Sequence, residues 1–179
     1  MTRYSGLAIG LHWLVALLIF GTFGLGLYMT ELPFSPDKLR LYSWHKTIGV
    51  SVFLLVLIRL GWRLWRRPPP PPPMARWQRV ASHAVHHLLY GLMLAVPLSG
   101  WLMSSAKGFQ TMWFGIVPLP DLLPASESVG DALARTHWFL NLALCGLVAL
   151  HLLAALKHQF IDRDGLLGRM WPGRHGDTT

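Results

Sequence analysis

Nine histidines stand in a chain of 179 residues that is 53% hydrophobic and only 13% charged. Imidazole binds metals and moves protons near neutral pH, and an ionisable group inside an apolar stretch is costly enough to be read as functional. His12 lies six residues into the first apolar stretch, roughly 9 Å deep at 1.5 Å per residue. His151 precedes Lys157 by six, so on a helix running the opposite way it reaches the same depth. His45 and His137 open the second and fourth apolar stretches, near the other surface. His137 and His151 are fourteen residues apart, about 21 Å and close to four helical turns, so they face the same way. One helix therefore offers an imidazole near each membrane surface, with His12 and His45 as partners at the two depths.

Haem is the cofactor that suits two such pairs, because an iron porphyrin takes axial imidazoles from opposite sides and bridges helices. Two haems b would form an electron path across the bilayer. Zinc would need ligands clustered at one point, and these are scattered in depth. No C-x-x-C-H occurs, so covalent attachment is not expected. His86, with His83 and His87, crowds the start of the third stretch near Arg76 and Arg79, and is the rival ligand. His158 follows Lys157 at the end of the fourth stretch, and His175 belongs to a polar tail. Gly21, Gly24, Gly26 and Gly49 suit close helix packing or room for a porphyrin, while Pro97 and Gly100 predict a bend in the third helix.

The elements that must hold these residues are four stretches long enough to cross a hydrocarbon layer of about 30 Å: Gly6–Met29, Trp44–Trp65, Val80–Met103 and Thr136–Lys157. They lack the alternating period of a barrel strand, so the expected fold is an all-α, integral membrane four-helix bundle forming a single membrane domain over residues 1–179. The first stretch exceeds a signal-peptide core and closes without a small-residue cleavage site, so it reads as a span. Mean hydropathy of +0.39 excludes a disordered chain, and Cys145, the single cysteine, excludes a disulfide scaffold.

Basic residues set the orientation. Eleven fall in the N-terminal tail, the second connection (Arg59 to Arg79) and the C-terminal tail, against five in the other two connections. Both termini are therefore expected in the cytoplasm. The net charge of +8 follows from that asymmetry and does not imply a nucleic-acid partner. Pro68 to Pro73 predict a stiff connector, and Ser104 to Arg135, with Pro118, Pro120 and Pro124, a cap on the outer face. Tyr4, Trp13, Trp44, Trp62, Trp65, Trp101 and Trp138 read as interfacial anchors.

Leu11-His12-Trp13, Trp44-His45-Lys46, His86-His87-Leu88-Leu89-Tyr90, Pro97-Leu98-Ser99-Gly100-Trp101, His137-Trp138 and His151 occur in an order, at helix positions and in a chain length that resemble the bacterial cytochrome b-561 family, nearly end to end. This family of small, di-haem, quinone-linked proteins includes superoxide oxidases. The resemblance implies two haems b with His12, His45, His137 and His151 as axial iron ligands, paired His12/His151 and His45/His137. It further implies an oxidoreductase taking electrons from periplasmic superoxide and passing them to ubiquinone. Lys46, Lys107 and Arg135 would then concentrate the superoxide anion near the outer haem. His158, Lys157 and His86 are candidates for proton supply at a quinone or for contact with a haem edge. Two rivals stay open: a haem subunit anchoring a peripheral hydrogenase or dehydrogenase, and a haem-free membrane adaptor whose histidines pack helices. A transporter is disfavoured, because no broken-helix pair or internal acidic residue is evident.

Overall fold

The structure, a computed structural model, describes residues 3–66, 68–70 and 73–173. Arg67, Pro71, Pro72, Arg174 and His175 lie outside the described residues. Four long helices account for most of the chain: α1 (Gly6–Glu31), α2 (Pro36–Trp65), α3 (Arg76–Ala106) and α4 (Glu127–Lys157). A π-helical turn (His158–Asp162) and a short 3-10 turn (Leu167–Arg169) follow α4. Between α3 and α4 a two-stranded antiparallel hairpin pairs β1 (Met112–Trp113) with β2 (Val117–Pro118). Phe114 and Gly115 turn the hairpin in the left-handed region, at φ 52° and 68°.

Local chemistry explains the helix starts. The Ser5 hydroxyl accepts from the Ala8 amide, and the Ser35 hydroxyl accepts from the Lys38 amide, with Pro36 at the position where a missing N–H costs nothing. Hydropathy marks only the part of a helix that lies in lipid, and the helices overrun it. α2 begins eight residues before Trp44, and α4 nine residues before Thr136. His45 and His137 consequently lie about 14 and 15 Å inside their helices, not at their first turns. Arg59, counted with the second connection by charge, belongs to α2.

All four helices are long and apolar enough to span a membrane, and the molecule is a four-helix membrane bundle. α1 packs on α2, α2 on α3 and α3 most extensively on α4, while α4 comes close to α1 and α2 at few points. The packed core therefore lies between the first three helices, where Val15, Val52 and Val56 meet Leu18, Ile48, Tyr90 and Met93. Large apolar side chains such as Leu17, Phe139 and Leu153 remain exposed on the outside, as a lipid-facing surface requires. Since lipid tails are as apolar as leucine, such packing holds by dispersion and polar ties more than by the hydrophobic effect.

The polar ties are concentrated at the two ends. At the connector end, Trp62 Nε1 donates to Ser5 Oγ at 3.1 Å, Trp13 Nε1 to the Met170 carbonyl at 2.7 Å, and Arg169 to the Pro70 carbonyl at 2.7 Å. The C-terminal segment thus ties α1 to the proline connector. At the cap end, Lys46 donates to Ser104 Oγ and the Gln110 carbonyl, each at 3.1 Å, and Trp113 Nε1 donates to Ser51 Oγ at 3.1 Å. Trp101 Nε1 reaches the Pro120 carbonyl at 3.1 Å. Trp13, Trp62 and Trp101 therefore tie segments of the chain together besides sitting where interfacial anchors are expected.

Thr47 is the smallest of these ties that can be removed cleanly, because its hydroxyl donates to the Met112 carbonyl and accepts from the Phe114 amide. Thr47→Val keeps the shape and removes both bonds. At about 1 kcal/mol net per hydrogen bond, amide exchange across 112–118 should quicken by roughly five- to thirtyfold with α1 unchanged. Unaltered exchange in mass-spectrometric measurement would show that the hairpin is held by other contacts.

Candidate functional site: two tiers of histidine

Four sequence-predicted histidines meet in two pairs. His45 of α2 and His137 of α4 have ring centroids 6.3 Å apart with planes at 83°. His12 of α1 and His151 of α4 have centroids 6.2 Å apart with planes at 74°. Each pair bridges helices that otherwise scarcely approach one another. A metal held by one nitrogen of each ring, at about 2 Å per bond and with each nitrogen about 1.1 Å from its ring centroid, sets collinear centroids about 6.2 Å apart. Both pairs have the spacing at which two imidazoles share one iron.

The spacing of fourteen residues recurs on every helix. His12 and Gly26 carry it on α1, His45 and Arg59 on α2, His86 and Gly100 on α3, and His137 and His151 on α4. Each helix therefore contributes one residue to each of two tiers about 21 Å apart. The cap-end tier is His45, His137, Gly26 and Gly100. A Cβ on Gly26 would lie 3.1 Å from Cε1 of His45, and one on Gly100 would lie 3.1 Å from Cε1 of His137. Each imidazole rests on the neighbouring helix at a point where any side chain would displace it.

Hydrogen bonds orient these two rings. Nδ1 of His137 lies 3.0 Å from the Val96 carbonyl, which can only accept, so Nδ1 carries the hydrogen and Nε2 keeps its lone pair. Ser99 Oγ stands 3.0 Å from the same nitrogen. Nδ1 of His45 lies 3.3 Å from Thr22 Oγ1. Fixing one ring nitrogen and leaving the other bare is how proteins present histidine to a metal.

The connector-end tier is His12, His151, Arg59 and His86. Arg59 donates to Nδ1 of His12 at 2.8 Å and to the Tyr90 hydroxyl at 3.0 Å. His86, anchored by its Nδ1 to the Ser82 carbonyl at 2.7 Å, has its centroid 5.4 Å from that of His151. That is closer than a shared iron would set the two rings. His83 and His87 stack on each other at 6.4 Å on the exposed side of α3, away from this tier.

The remaining expected site residues lie outside the tiers. His158 is held by Asp164 at 2.7 Å and Asp162 at 3.2 Å, and Lys157 donates to Asp162 at 2.8 Å. Lys107 is paired with Asp131 at 2.8 Å, Lys46 is committed to the cap segment, and Arg135 is exposed with no carboxylate within 4 Å among the described residues. Sequence reasoning passed over Thr22, Ser99 and Arg59 as partners of histidine. The available signal was a polar residue inside an apolar span, and in each case the partner is supplied by a different helix.

A family model described as prokaryotic cytochrome b561 matches residues 3–173. The chain is 35% identical to cytochrome b561 homolog 2 of Escherichia coli K12, over 94% of this chain and 90% of that protein. It is 32% identical to the probable superoxide oxidase CybB of Yersinia pestis, over 97% and 98% of the two chains. With cytochrome b561 homolog 1 of Escherichia coli K12 the identity is 30%, over 97% and 99%. Four spanning helices carrying two tiers of histidine and a match over nearly the whole chain agree: this protein belongs to the prokaryotic cytochrome b561 family, haem b-binding electron-transfer proteins that cross the bacterial inner membrane several times.

Proposed function

We propose that the protein is a di-haem superoxide:ubiquinone oxidoreductase, with His45/His137 and His12/His151 as the axial pairs. The observation that carries the two-haem part of this reading is the near equality of the two centroid separations, 6.3 and 6.2 Å, close to the spacing of two imidazoles on one iron, and the 32% identity to a probable superoxide oxidase supports the choice of donor. When bound, haem b supplies a one-electron acceptor and donor in each tier. Everything else the chain must do is hold rings, exclude water and set charge.

His45 and His137 are presented ready for ligation. Gly26 and Gly100 let their rings lie against the neighbouring helix, and Thr22, Ser99 and the Val96 carbonyl fix their orientation. His12 differs, because Arg59 occupies its Nδ1. A guanidinium only donates, so ligation through Nε2 with a hydrogen on Nδ1 requires Arg59 to release that nitrogen while its charge stays nearby. His86 is the residue beside this pair that can give or take a proton, and it stands as the candidate for contact with the haem edge or quinone.

The charge difference between tiers gives electron flow a direction. Arg59 is always cationic and favours the more reduced state of a neighbouring redox centre, whereas glycines occupy the matching positions of the cap-end tier. Electrons entering at the cap end are drawn towards the connector end. Two superoxide anions lose one electron each and leave as oxygen, and ubiquinone takes the two electrons and two protons to become the quinol. With both termini and the connector in the cytoplasm, superoxide meets the periplasmic cap and protons come from the cytoplasmic side, where His86, His158 and Lys157 lie. Lys107 is neutralised by Asp131, so steering of the anion falls chiefly to Arg135, and to Lys46 through a charge shared with neutral acceptors.

One observation favours a second reading, in which a peripheral redox subunit delivers the electrons. Phe109, Phe114 and Ile116 on the cap segment are 63%, 57% and 78% exposed, an apolar surface to which such a subunit could dock. Adding superoxide to the purified, oxidised protein separates the two. Prompt reduction of both haems followed by quinone reduction supports the oxidase, and haems that ignore superoxide but accept electrons from a bound subunit favour the anchor.

Substitutions locate the ligands. His45→Ala or His137→Ala should remove one haem from the visible spectrum, and His12→Ala or His151→Ala the other. If His86→Ala removes a haem and His12→Ala leaves two, the connector-end pairing is wrong. Gly100→Ala should shift the low-spin electron paramagnetic resonance signal of the His137 haem and leave the second signal unchanged.

Arg59→Gln probes the charge asymmetry. If haem is bound, removing one unit charge at a distance taken as about 7 Å, with an effective dielectric of about 20, would correspond to a potential change on the order of 100 mV. A redox titration should show one midpoint falling by up to that amount while the other holds. Equal movement of both midpoints would remove Arg59 as the source of direction.

A further inference from the structure

A cavity of about 470 Å³ opens at the connector end, beside the histidine tier but walled mainly by α1, α2 and the proline connector. Four arginines line it: Arg3, Arg59, Arg63 and Arg66. None of the four has a carboxylate within 4 Å among the described residues. The two described carboxylates that end the chain's fourth helix, Asp162 and Asp164, are taken by Lys157 and His158. Four like charges around one cavity repel unless an anion enters.

The arginines are not equivalent. Arg59 donates to Tyr90 and to His12 in this structure and belongs to the histidine tier. Arg63 lies 5.8 Å over the Tyr90 ring, and Arg66 lies 5.9 and 5.3 Å over the rings of Trp62 and Trp65. Those contacts hold the stems and leave guanidinium N–H groups free to donate. Arg3 gives one nitrogen to the Trp171 carbonyl at 2.7 Å, and its Nε is buried with no hydrogen-bond partner. That buried donor has no acceptor within the protein, so an anion in the cavity would satisfy it. Ser5 and Ala8 in the same wall bring the positive end of α1 to the cavity.

The surroundings are apolar. Pro68, Pro69 and Met170 line the cavity, and Leu64 and Trp65, in the same turn of α2 as Arg63 and Arg66, are 78% and 73% exposed. An anion that also carries hydrocarbon chains fits both features, and basic pockets at the ends of spanning helices hold such headgroups. We propose that this cavity binds the phosphate headgroup of an anionic membrane lipid, held by Arg3, Arg63 and Arg66, with its acyl chains along the exposed face of α2.

The full-length, haem-loaded protein, stripped of lipid in detergent, is offered equal phosphatidylglycerol and phosphatidylethanolamine, and retained lipid is read by native mass spectrometry. The wild type should retain phosphatidylglycerol in preference. In R3Q/R63Q/R66Q that preference should fall by roughly a hundredfold, taking about a factor of five per arginine, with the haem spectrum unchanged. A wild type that retains both lipids equally overturns the proposal without any variant. Thermal stabilisation by inorganic phosphate equal to that by phosphatidylglycerol would make this a free-anion site, and loss of a haem in the triple variant would assign the arginines to haem carboxylates. Either result overturns the lipid assignment.

Discussion

The distance between the imidazoles of two histidine pairs, 6.2 and 6.3 Å between ring centroids, constrains the whole bundle. It fixes how far α4 stands from α1 and α2, and it does so twice, at levels about 21 Å apart. A bundle packed only by its side chains would bring α4 against its neighbours throughout. Here α4 leans on α3 and meets the other two helices chiefly through His151 and His137. The compact valine core accordingly sits among α1, α2 and α3, on the side away from that separation. The interval of fourteen residues on all four helices is the sequence form of the same constraint. It returns close to the same helix face, so each helix can serve both tiers.

Holding a separation of that kind needs ties that do not depend on close packing. In lipid the hydrophobic effect gives no preference for helix–helix over helix–lipid contact, and a cofactor-width gap removes dispersion contacts as well. The ends supply what the middle lacks. Lys46, Thr47, Ser51 and Trp101 bind the cap segment to α2 and α3, and Trp13, Trp62 and Arg169 bind the terminal segments to the connector. These groups lie near the membrane surfaces, where backbone carbonyls outside the helices are available as acceptors. Glycines at the cap-end tier complete the arrangement, since they let two imidazoles fill space that a side chain would otherwise take.

Much of this was legible in the sequence, and the missing parts share one physical cause. The four spans follow from hydropathy, and matched depth alone suggested the pairs that the structure brings to 6.2 and 6.3 Å. Depth counting works because helical rise is fixed, whatever the tertiary contacts. Helix starts were misjudged at Trp44 and Thr136 because backbone hydrogen bonding continues past the apolar segment into polar residues. Arg59 was assigned to a connection because charge normally marks the end of a span, and its contact with His12 forty-seven residues away leaves no local trace. The same holds for Thr22 with His45, for Ser99 with His137, and for Lys107, whose charge is cancelled by Asp131 on another helix. One-dimensional periodicity reports which face a residue is on, but not what stands opposite.

The two tiers, alike in spacing, are opposite in chemistry. At the cap end each histidine faces a glycine, so no charged side chain stands at the matching position on the neighbouring helix. At the connector end the equivalent positions are Arg59 and His86, one permanently charged and the other able to exchange a proton. On the proposed reading, an electron at the connector-end tier would be stabilised by the neighbouring Arg59 cation, whereas the hydrogen-bond partners of His45 and His137 are all neutral. Reduction of a quinone needs protons as well as electrons, and the end that would attract electrons on the proposed reading is also the end where His86 and His158 stand. On the proposed reading, asymmetry at two helix positions on each tier is what would turn a symmetric pair of sites into a directed path.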